Sequence, residues 1–246
     1  MTDLTGRIAL VTGASRGIGY FTSLALADAG AHVIAVARTV GGLEELDDAI
    51  REQGRGSATL VPQDLLDMKA IDKLGAAIFE RWGKLDILVA NAAILGTLSP
   101  VGHYEARIFD KAMNTNVNAT WRVIRTVDPL LAKSDAGRAV IVTSGAAHSC
   151  RPFHGLYASS KAAVEALARC WAAETINSPL RVNCVNPGPT RTAMRALAMP
   201  GEDPMTLPHP SEIAGSLVAL CDPELTETGM FFDVPEGRFK AFQAPN

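Results

Sequence analysis

Short apolar runs alternate with helix-length segments along the chain, and this alternation limits the folds that it can adopt. Strands are predicted at 7–11, 32–37, 59–62, 86–90, 139–143, 181–185 and 230–234. Helices are predicted at 18–29, 43–53, 67–81, 105–117, 119–133, 158–176 and 211–220. Because strands joined through helices make right-handed crossovers, such a sheet is parallel and carries helices on both faces. We therefore predict an α/β fold, a doubly wound parallel sheet of seven strands.

Composition agrees with one domain spanning residues 1–246, since 246 residues of which 48% are hydrophobic can bury one large core. A net charge of −3 makes nucleic acid and anionic membranes poor candidates for partners. We expect no signal peptide and no membrane span, because no apolar run is long enough. The four cysteines lack Cys-x-x-Cys spacing, so we expect no metal site and reduced thiols of a cytoplasmic protein: Cys150, Cys170, Cys184 and Cys221.

The first predicted strand is followed by a glycine-rich turn and then by a helix, an order typical of a Rossmann-type dinucleotide site. The turn reads Thr12-Gly13-Ala-Ser15-Arg16-Gly17-Ile18-Gly19. Gly13 permits the tight turn, Gly17 allows backbone to approach a phosphate, and Gly19 allows the helix to pack closely on the strand. The helix N-terminus then offers free N–H groups and partial positive charge to a pyrophosphate. We predict that residues 13–19 bind a dinucleotide.

The charges near this turn indicate which dinucleotide binds. An NAD site usually has an Asp or Glu at the end of the second strand, where it binds the ribose 2′-hydroxyl. Here that strand ends in Ala37 and is followed by Arg38, while Arg16 adds a second cation from the glycine turn. Two guanidinium groups without a carboxylate fit a 2′-phosphate, so we predict NADP(H). The alternative is that Arg38 is simply a solvated surface residue.

A serine, a tyrosine and a lysine form the candidate catalytic group. Tyr157 and Lys161 are four residues apart in a predicted helix and therefore share one face. An ammonium group beside a phenol favours the ionised phenol, which makes tyrosine a more useful acid or base near neutral pH. Ser144 follows a predicted strand, where its hydroxyl could bind the same substrate oxygen as the phenol. By itself the Tyr-x-x-x-Lys spacing is also compatible with an ordinary solvated helix pair.

Taken together, the Thr-Gly-x-x-x-Gly-x-Gly turn, the serine, Tyr157-Ala-Ser-Ser-Lys161 and the later Asn186-Pro187-Gly188 resemble the short-chain dehydrogenase/reductase family. The match to its single-domain form of about 250 residues extends to about Arg195. The ending departs from the family pattern, since Thr228-Gly229-Met-Phe-Phe-Asp233-Val-Pro-Glu-Gly237 replaces the usual Asp-Gly-Gly, and the segment from Leu180 to Arg238 resembles a poorly characterised bacterial branch. Several motifs in the family's order make this resemblance specific.

The resemblance implies further roles, residue by residue. Asn116 resembles the helix-kinking asparagine whose carbonyl holds a water of the proton relay. Contacts to the cofactor are implied for a larger set: Asp64, Leu65, Asn91, Ala92, Ala93, Pro187, Gly188, Thr190 and Thr192. Ala90 and Ala93 depart from the family's Asn-Asn-Ala-Gly, and Thr190 replaces a more usual aliphatic residue. The catalytic serine is assigned to Ser144, although alignment along the strand alone would place Gly145 there, and Ser149 is the remaining competitor.

These assignments imply an oxidoreductase that moves a hydride between NADP(H) and a ketone, aldehyde or secondary alcohol. Tyr157 is the expected general acid/base, and Ser144, Lys161 and Asn116 assist it. The resemblance also implies that Tyr157 and Lys161 contact the cofactor, with Lys161 bonding the nicotinamide ribose. Residues 193–210, interrupted by prolines, are the expected lid over the substrate. The alternatives are a 3-oxoacyl thioester reductase and, in another class, a non-catalytic NADP(H)-binding sensor. We expect a homodimer or homotetramer, with Trp121 and Trp171 as candidate contacts or core residues.

Overall fold

The structure is a computed structural model, which describes residues 2–242. These residues contain one eight-stranded sheet. The strand order is β3-β2-β1-β4-β5-β6-β7-β8, and every neighbouring pair is parallel except the last. The strands are β1 (Ile8–Thr12), β2 (His32–Ala37), β3 (Ser57–Pro62), β4 (Ile87–Ala90), β5 (Arg138–Val142), β6 (Arg181–Asn186), β7 (Phe231–Asp233) and β8 (Arg238–Lys240). The predicted α/β class with a doubly wound parallel sheet is therefore confirmed.

Helices connect the parallel strands and cover the sheet on both sides. They are α1 (Gly17–Asp28), α2 (Val40–Gln53), α3 (Met68–Trp82), α4 (Ala106–Met113), α5 (Ala119–Leu131), α6 (Ala146–Ser149), α7 (Gly155–Glu174), α8 (Ala193–Ala198) and α9 (Pro210–Ala219). Short 3₁₀ turns lie at Val101–His103, Pro204–Thr206 and Val234–Glu236. No helix among residues 2–242 is long and apolar enough to cross a bilayer.

Each central strand contributes side chains to two hydrophobic cores, because successive residues of a strand point to opposite faces. In β1, Ile8 and Leu10 join a core with residues of α3, α5 and α7, whereas Ala9 and Val11 join a core with residues of α1, α2 and α9. A strand buried on both faces carries an unbroken apolar run, which is the pattern that predicted a parallel sheet. The strands thus form a rigid layer whose carboxyl ends can hold a site.

The sheet has one strand more than the seven predicted. β8 pairs antiparallel with β7, with Asp233 opposite Arg238, and the turn between them contains Gly237 at φ +62°. Only three residues of β8 are paired, too few to show an alternating pattern. The pair is reinforced by Lys240, whose Nζ lies 2.9 Å from a carboxylate oxygen of Asp233.

A π-helical turn separates α4 from α5. It spans Asn114–Asn118, where the prediction had two regular helices meeting near residue 118. A π turn accommodates one extra residue in a helix and is frequent at functional sites. Here it contains Asn116, which is 2% exposed.

Arg138, at the start of β5, is buried and fastens a distant loop to the sheet. Its guanidinium donates hydrogen bonds to the backbone carbonyl oxygens of Gly137, Pro179, Asp222, Pro223 and Leu225. Burial lowers the pKa of this guanidinium from its usual value, yet arginine remains charged in proteins. Five carbonyl dipoles take the place of water around this charge.

Candidate active site

The glycine turn lies at the carboxyl end of β1, where the strand order reverses between β1 and β4. Ligands of open α/β sheets bind at this kind of crevice. Gly13 and Gly17 adopt φ of +70° and +57°, conformations that favour glycine. A Cβ atom on Gly19 would lie 2.3 Å from the Gly13 carbonyl oxygen and 2.5 Å from Nδ2 of Asn91. The turn is therefore packed so closely that position 19 accepts no side chain.

Thr12 and Asn91 join this turn to the end of β4. The Thr12 hydroxyl oxygen accepts hydrogen bonds from the backbone N–H groups of Asn91 (3.0 Å) and Ala92 (3.1 Å). The Asn91 amide donates in return to the backbone oxygens of Thr12 (3.0 Å) and Gly13 (3.3 Å). Ala93 follows directly, and its side chain is half-buried. Residues 91–93 thus support the glycine turn.

The predicted cation pair lies on the surface beside the turn. Arg16 is the residue that precedes α1, and Arg38 follows β2; both side chains are exposed. Neither forms an ion pair with any other residue in the range 2–242. No side chain caps the N-terminus of α1, so its first N–H groups remain available to an anion. Asp64 is exposed beyond β3, where its carboxylate accepts the Leu66 N–H at 2.9 Å, and Leu65 packs partly against the core.

The serine, the tyrosine and the lysine meet at the carboxyl end of β5. Ser144 comes two residues after β5, and Tyr157 and Lys161 lie on the first turns of α7. Burial raises the pKa of Tyr157 to about 12, and the nearby Ser144 hydroxyl opposes that rise by hydrogen bonding. Ser149 is exposed at the end of α6, and Gly145 carries no functional side chain. The geometry therefore favours Ser144 over both competitors.

Lys161 occupies the floor of this group and is 4% exposed. Its Nζ donates a hydrogen bond of 2.8 Å to the Val142 carbonyl oxygen and lies 5.7 Å from the centre of the Tyr157 ring. Burial lowers the pKa of Lys161 to about 8. The expectation that Lys161 depresses the Tyr157 pKa is not met in this arrangement, because burial dominates the titration of the phenol. At pH 7 the phenol is protonated and the lysine is mostly charged.

Asn116 lies beside α7 and connects three parts of the chain. Its amide oxygen accepts the Ile94 N–H at 2.8 Å, and its Nδ2 donates to the Ile94 carbonyl at 2.9 Å and to the Ser160 hydroxyl at 3.0 Å. Ser160 in turn donates to the Tyr157 carbonyl oxygen at 2.8 Å. The Asn116 carbonyl oxygen accepts a hydrogen bond from Thr120 at 2.8 Å. The asparagine thus connects the segment after β4 to the helix that carries the tyrosine.

Asn186, at the end of β6, is a positioning residue. The sequence predicted it only as part of the Asn186-Pro187-Gly188 motif, with no role of its own. Its Oδ1 accepts the backbone N–H of Gly145 at 3.0 Å and that of Gly188 at 3.2 Å. It therefore fixes the loop after Ser144 against the Pro187-Gly188 turn, where Gly188 has φ +74°. Thr190 is buried within this turn, and Thr192 caps α8 by accepting the Arg195 N–H at 3.2 Å.

A buried carboxylate that the motifs did not predict, Glu165, lies on α7 one turn beyond Lys161. Glu165 is 5% exposed, and its partners are the Thr143 hydroxyl and the His148 ring, at 2.5 Å and 3.1 Å. The i, i+4 spacing from Lys161 was the available signal. Among residues 2–242, no group of His, Cys, Asp and Glu side chains is arranged to hold a metal ion.

The segment predicted as a lid contains α8 and a small cavity of about 190 Å³. The Arg195 guanidinium forms two contacts with the Glu202 carboxylate at 2.5 and 2.6 Å, which closes the segment on itself. Arg191 donates to the Leu207 carbonyl oxygen at 3.1 Å. Phe153, four residues before Tyr157, is exposed and has φ +69°, and its carbonyl oxygen accepts the Ser99 N–H at 3.1 Å.

Known proteins resemble this chain in sequence over most of its length. The model of the short chain dehydrogenase family matches residues 7–203. The uncharacterized oxidoreductase YciK of Escherichia coli (strain K12) is 38% identical over 238 residues, which cover 96% of this chain and 94% of YciK. A fatty acyl-CoA reductase of Acinetobacter baylyi is 33% identical over 195 residues, 79% of this chain and 66% of the reductase.

Solved structures agree with these relatives. A short-chain dehydrogenase from Pseudomonas syringae has a TM-score of 0.91 and 34% identity, covering 94% of this chain and 95% of that protein. One from Shigella flexneri 2a, solved in complex with NADP, has a TM-score of 0.89 and 38% identity, covering 96% and 100%. Because the family model matches residues 7–203 and the relatives match most of the chain in sequence and fold, the chain belongs to the short-chain dehydrogenase family and is one of its oxidoreductases.

Proposed function

We propose that this protein is an NADP(H)-dependent oxidoreductase acting on a ketone, an aldehyde or a secondary alcohol, with Tyr157 as the general acid/base. The observation that carries the proposal is the convergence of Ser144, Tyr157 and Lys161 at the end of β5, next to the glycine turn. A phosphate-binding turn beside a buried phenol and a buried ammonium group is the combination that this chemistry needs.

The residues on the dinucleotide side fit NADP(H). Because position 19 carries no side chain, α1 can begin directly against the glycine turn. The uncapped N-terminus of α1 would bind a pyrophosphate there. Arg16 and Arg38 pair with no carboxylate among residues 2–242 and lie on the side where a 2′-phosphate would bind, and β2 ends in Ala37 rather than in a carboxylate. The relative from Shigella flexneri was crystallised with NADP, which supports the same choice. When bound, the nicotinamide supplies or accepts the hydride.

The cofactor contacts expected from the resemblance follow the same geometry. Asp64 and Leu65 lie beyond β3, residues 91–93 support the glycine turn, and the segment from Pro187 to Thr192 follows β6. All of these positions are at the carboxyl ends of strands, where a dinucleotide binds such a sheet. We assign the positions near β3 and β4 to binding of the adenosine and those after β6 to binding of the nicotinamide.

Tyr157 and its neighbours perform the proton chemistry. The phenol is protonated near neutral pH and can donate its proton to a carbonyl oxygen during reduction, although burial raises its pKa and so opposes the transfer. Ser144 is placed to hydrogen-bond the same oxygen as negative charge develops there. Lys161 contributes positive charge from below the phenol, and Asn116 holds the carbonyl oxygen at which a water of the relay can bind.

Residues 193–210 are proposed as the lid over the substrate, which lies between them and Phe153. Two cations at this lid are already engaged: Arg195, within it, by Glu202, and Arg191, two residues before it, by a backbone carbonyl. They are therefore not free to bind the phosphates of coenzyme A or of a carrier protein, and we favour a small carbonyl substrate. Similarity to a fatty acyl-CoA reductase keeps a 3-oxoacyl thioester as the second candidate.

We also propose a homodimer or homotetramer located in the cytoplasm. Trp171 is 5% exposed and belongs to the core, whereas Trp121 is 44% exposed on α5 and remains the candidate contact. The four cysteines are free, in keeping with a reducing compartment.

The test is NADPH oxidation by the purified protein with a panel of carbonyl compounds, and with NADH in parallel. The panel covers diketones, quinones, aromatic aldehydes, sugars, steroids and a 3-oxoacyl thioester. Tyr157→Phe should remove nearly all turnover and change the Kd for NADPH by no more than about 3-fold, since the ring remains. Full turnover by Tyr157→Phe would contradict the assignment. Tight NADPH binding with no turnover of any panel member would favour the sensor alternative.

A further inference from the structure

A buried carboxylate lies directly behind the proposed active site and has no part in the chemistry described so far. Glu165 is one helical turn after Lys161 on α7 and faces the sheet at the junction of β5 and β6. Burying an ionised carboxylate is costly unless it is paired and hydrogen-bonded. Its presence on the same buried helix face as Lys161, four residues away, therefore needs a physical explanation.

Three elements hold the Glu165 carboxylate in place. The Thr143 hydroxyl, at the end of β5, donates to Oε1 at 2.5 Å. The His148 ring, on α6, places Nε2 3.1 Å from Oε2. His148 is itself packed edge-to-face on Phe231 of β7, with ring centres 5.1 Å apart. The carboxylate is thus fixed by residues on both sides of Ser144 in the sequence.

Few titratable groups act on this lysine and this glutamate. Among residues 2–242, Lys161 is influenced by Glu165 and by Cys184 on β6, and Glu165 is influenced by His148 and Lys161. Burial raises the pKa of the Cys184 thiol far above neutral, so the thiol is uncharged there; the positive charge of Arg169, one turn beyond Glu165 on α7, opposes this rise. Burial also raises the pKa of Glu165, but the hydrogen bonds with Thr143 and His148 and the positive charge of Lys161 at longer range favour its ionised form.

We propose that Glu165 is a positioning residue for Lys161: anchored by Thr143 and His148, its carboxylate stabilises the charged lysine in the dehydrated floor of the site. The proposal rests on the proposed function in taking Lys161 as part of the catalytic group. Without this anion, a lysine whose ammonium donates only to the Val142 carbonyl would lose its proton closer to neutral pH. Glu165 therefore extends the pH range in which the site keeps its positive charge.

The direct test is the titration of Lys161 in the protein without cofactor, followed by NMR of ¹³Cε-labelled lysine. The chain has seven lysines, and Lys161→Arg identifies the signal. The wild-type midpoint should lie well below those of the other six. Glu165→Gln, which keeps the shape and removes the charge, should lower this midpoint by about 1 to 2 pH units, as expected for charges one helical turn apart.

Two variants serve as controls. Glu174→Gln makes the same charge change at the exposed end of α7 and should leave the Lys161 midpoint unchanged. Glu165→Asp keeps the charge on a shorter side chain and should restore most of the wild-type midpoint. An unshifted midpoint in Glu165→Gln overturns the proposal, as does an equal shift in Glu174→Gln or a Glu165→Asp midpoint as low as that of Glu165→Gln.

Kinetics provide a second readout once a substrate is known. In Glu165→Gln, the alkaline limb of kcat/KM should move to lower pH by the same amount as the NMR midpoint, which a purely structural role would not cause. A wild-type protein that reduces no carbonyl compound would contradict the proposed function. The NMR titration needs neither substrate nor cofactor, so it would still decide the role of Glu165.

Discussion

Replacing Lys161 with methionine should make the folded protein more stable at neutral pH while abolishing turnover. Lys161 is buried with its ammonium bonded to one backbone carbonyl, an arrangement that favours the uncharged amine. Methionine fills a similar volume without any charge to desolvate. If Lys161 is retained for catalysis, the wild-type protein gives up stability to keep it.

The magnitude follows from the pKa of Lys161, which burial lowers from 10.5 to about 8. At pH 7 this shift corresponds to about 3 kcal/mol by which the folded state disfavours the ammonium. The variant loses the hydrogen bond to Val142, at a cost of about 1 kcal/mol; the lost attraction between Lys161 and Glu165 is already contained in the pKa of Lys161. We therefore expect Lys161→Met to be about 1–2 kcal/mol more stable than wild type at pH 7.

The sign of the pH dependence is fixed by the same shift. Between about pH 8 and pH 10.5 the unfolded chain keeps the Lys161 proton and the folded protein has lost it. Because stability rises with pH wherever the unfolded state binds more protons, wild-type stability should rise through this window. Lys161→Met lacks that rise, so its advantage should shrink from pH 7 to pH 10.

Urea denaturation of both proteins at pH 7 and pH 9.5 measures these differences, with activity assayed on the same samples. Lys73→Met, at an exposed position of α3, serves as the matched control and should change stability little at either pH. The reasoning is refuted if Lys161→Met is less stable than wild type at pH 7, or if its advantage is the same at both pH values.

Three further substitutions test other parts of the structure. Gly19→Ala should abolish NADPH binding, measured by fluorescence titration, because its Cβ would lie 2.3 Å from the Gly13 carbonyl oxygen; unchanged affinity would contradict the close packing of the turn. Arg38→Glu should weaken NADPH binding by about 10-fold or more and leave NADH within about 3-fold, since the new carboxylate repels only a 2′-phosphate; equal losses for both cofactors would count against the assignment. Arg138→Met should lower the free energy of unfolding by about 3–5 kcal/mol, because five carbonyl oxygens lose their buried donor. A loss below about 1 kcal/mol in urea denaturation would show that the loop is held by other contacts.

Much of the fold could be predicted because its determinants are local and periodic. The succession of the seven parallel strands and their helices along the chain follows from apolar runs and turn residues. β2 was predicted with its observed bounds, His32–Ala37. β8, α6 and α8 were missed because three to six residues are too few to show a period. The π turn was missed because the helical pattern continues through it without a break.

The same distinction applies to the site. The glycine turn and the Tyr157–Lys161 pair are local motifs, so the sequence predicts where they lie. Asn186 and Glu165 act on residues 41 and 22 positions away, and such contacts depend on how the strands are ordered in the sheet. The Lys161 ammonium is directed by its hydrogen bond to the Val142 carbonyl oxygen, 19 residues earlier. Every residue has a backbone carbonyl, so the sequence does not indicate which one the lysine contacts.

The π turn at Asn114–Asn118 also bears on how this chain could change during evolution. One residue of an α-helix corresponds to a rotation of about 100°. Deleting a single residue here would turn the whole of α4 and α5 into one regular helix and rotate Asn116 away from Ile94 and Ser160, while the apolar face of α5 could remain in register with the core. A one-residue deletion at this point is therefore a change that the fold could survive and that would separate Asn116 from the helix carrying Tyr157, and with it the proposed proton relay.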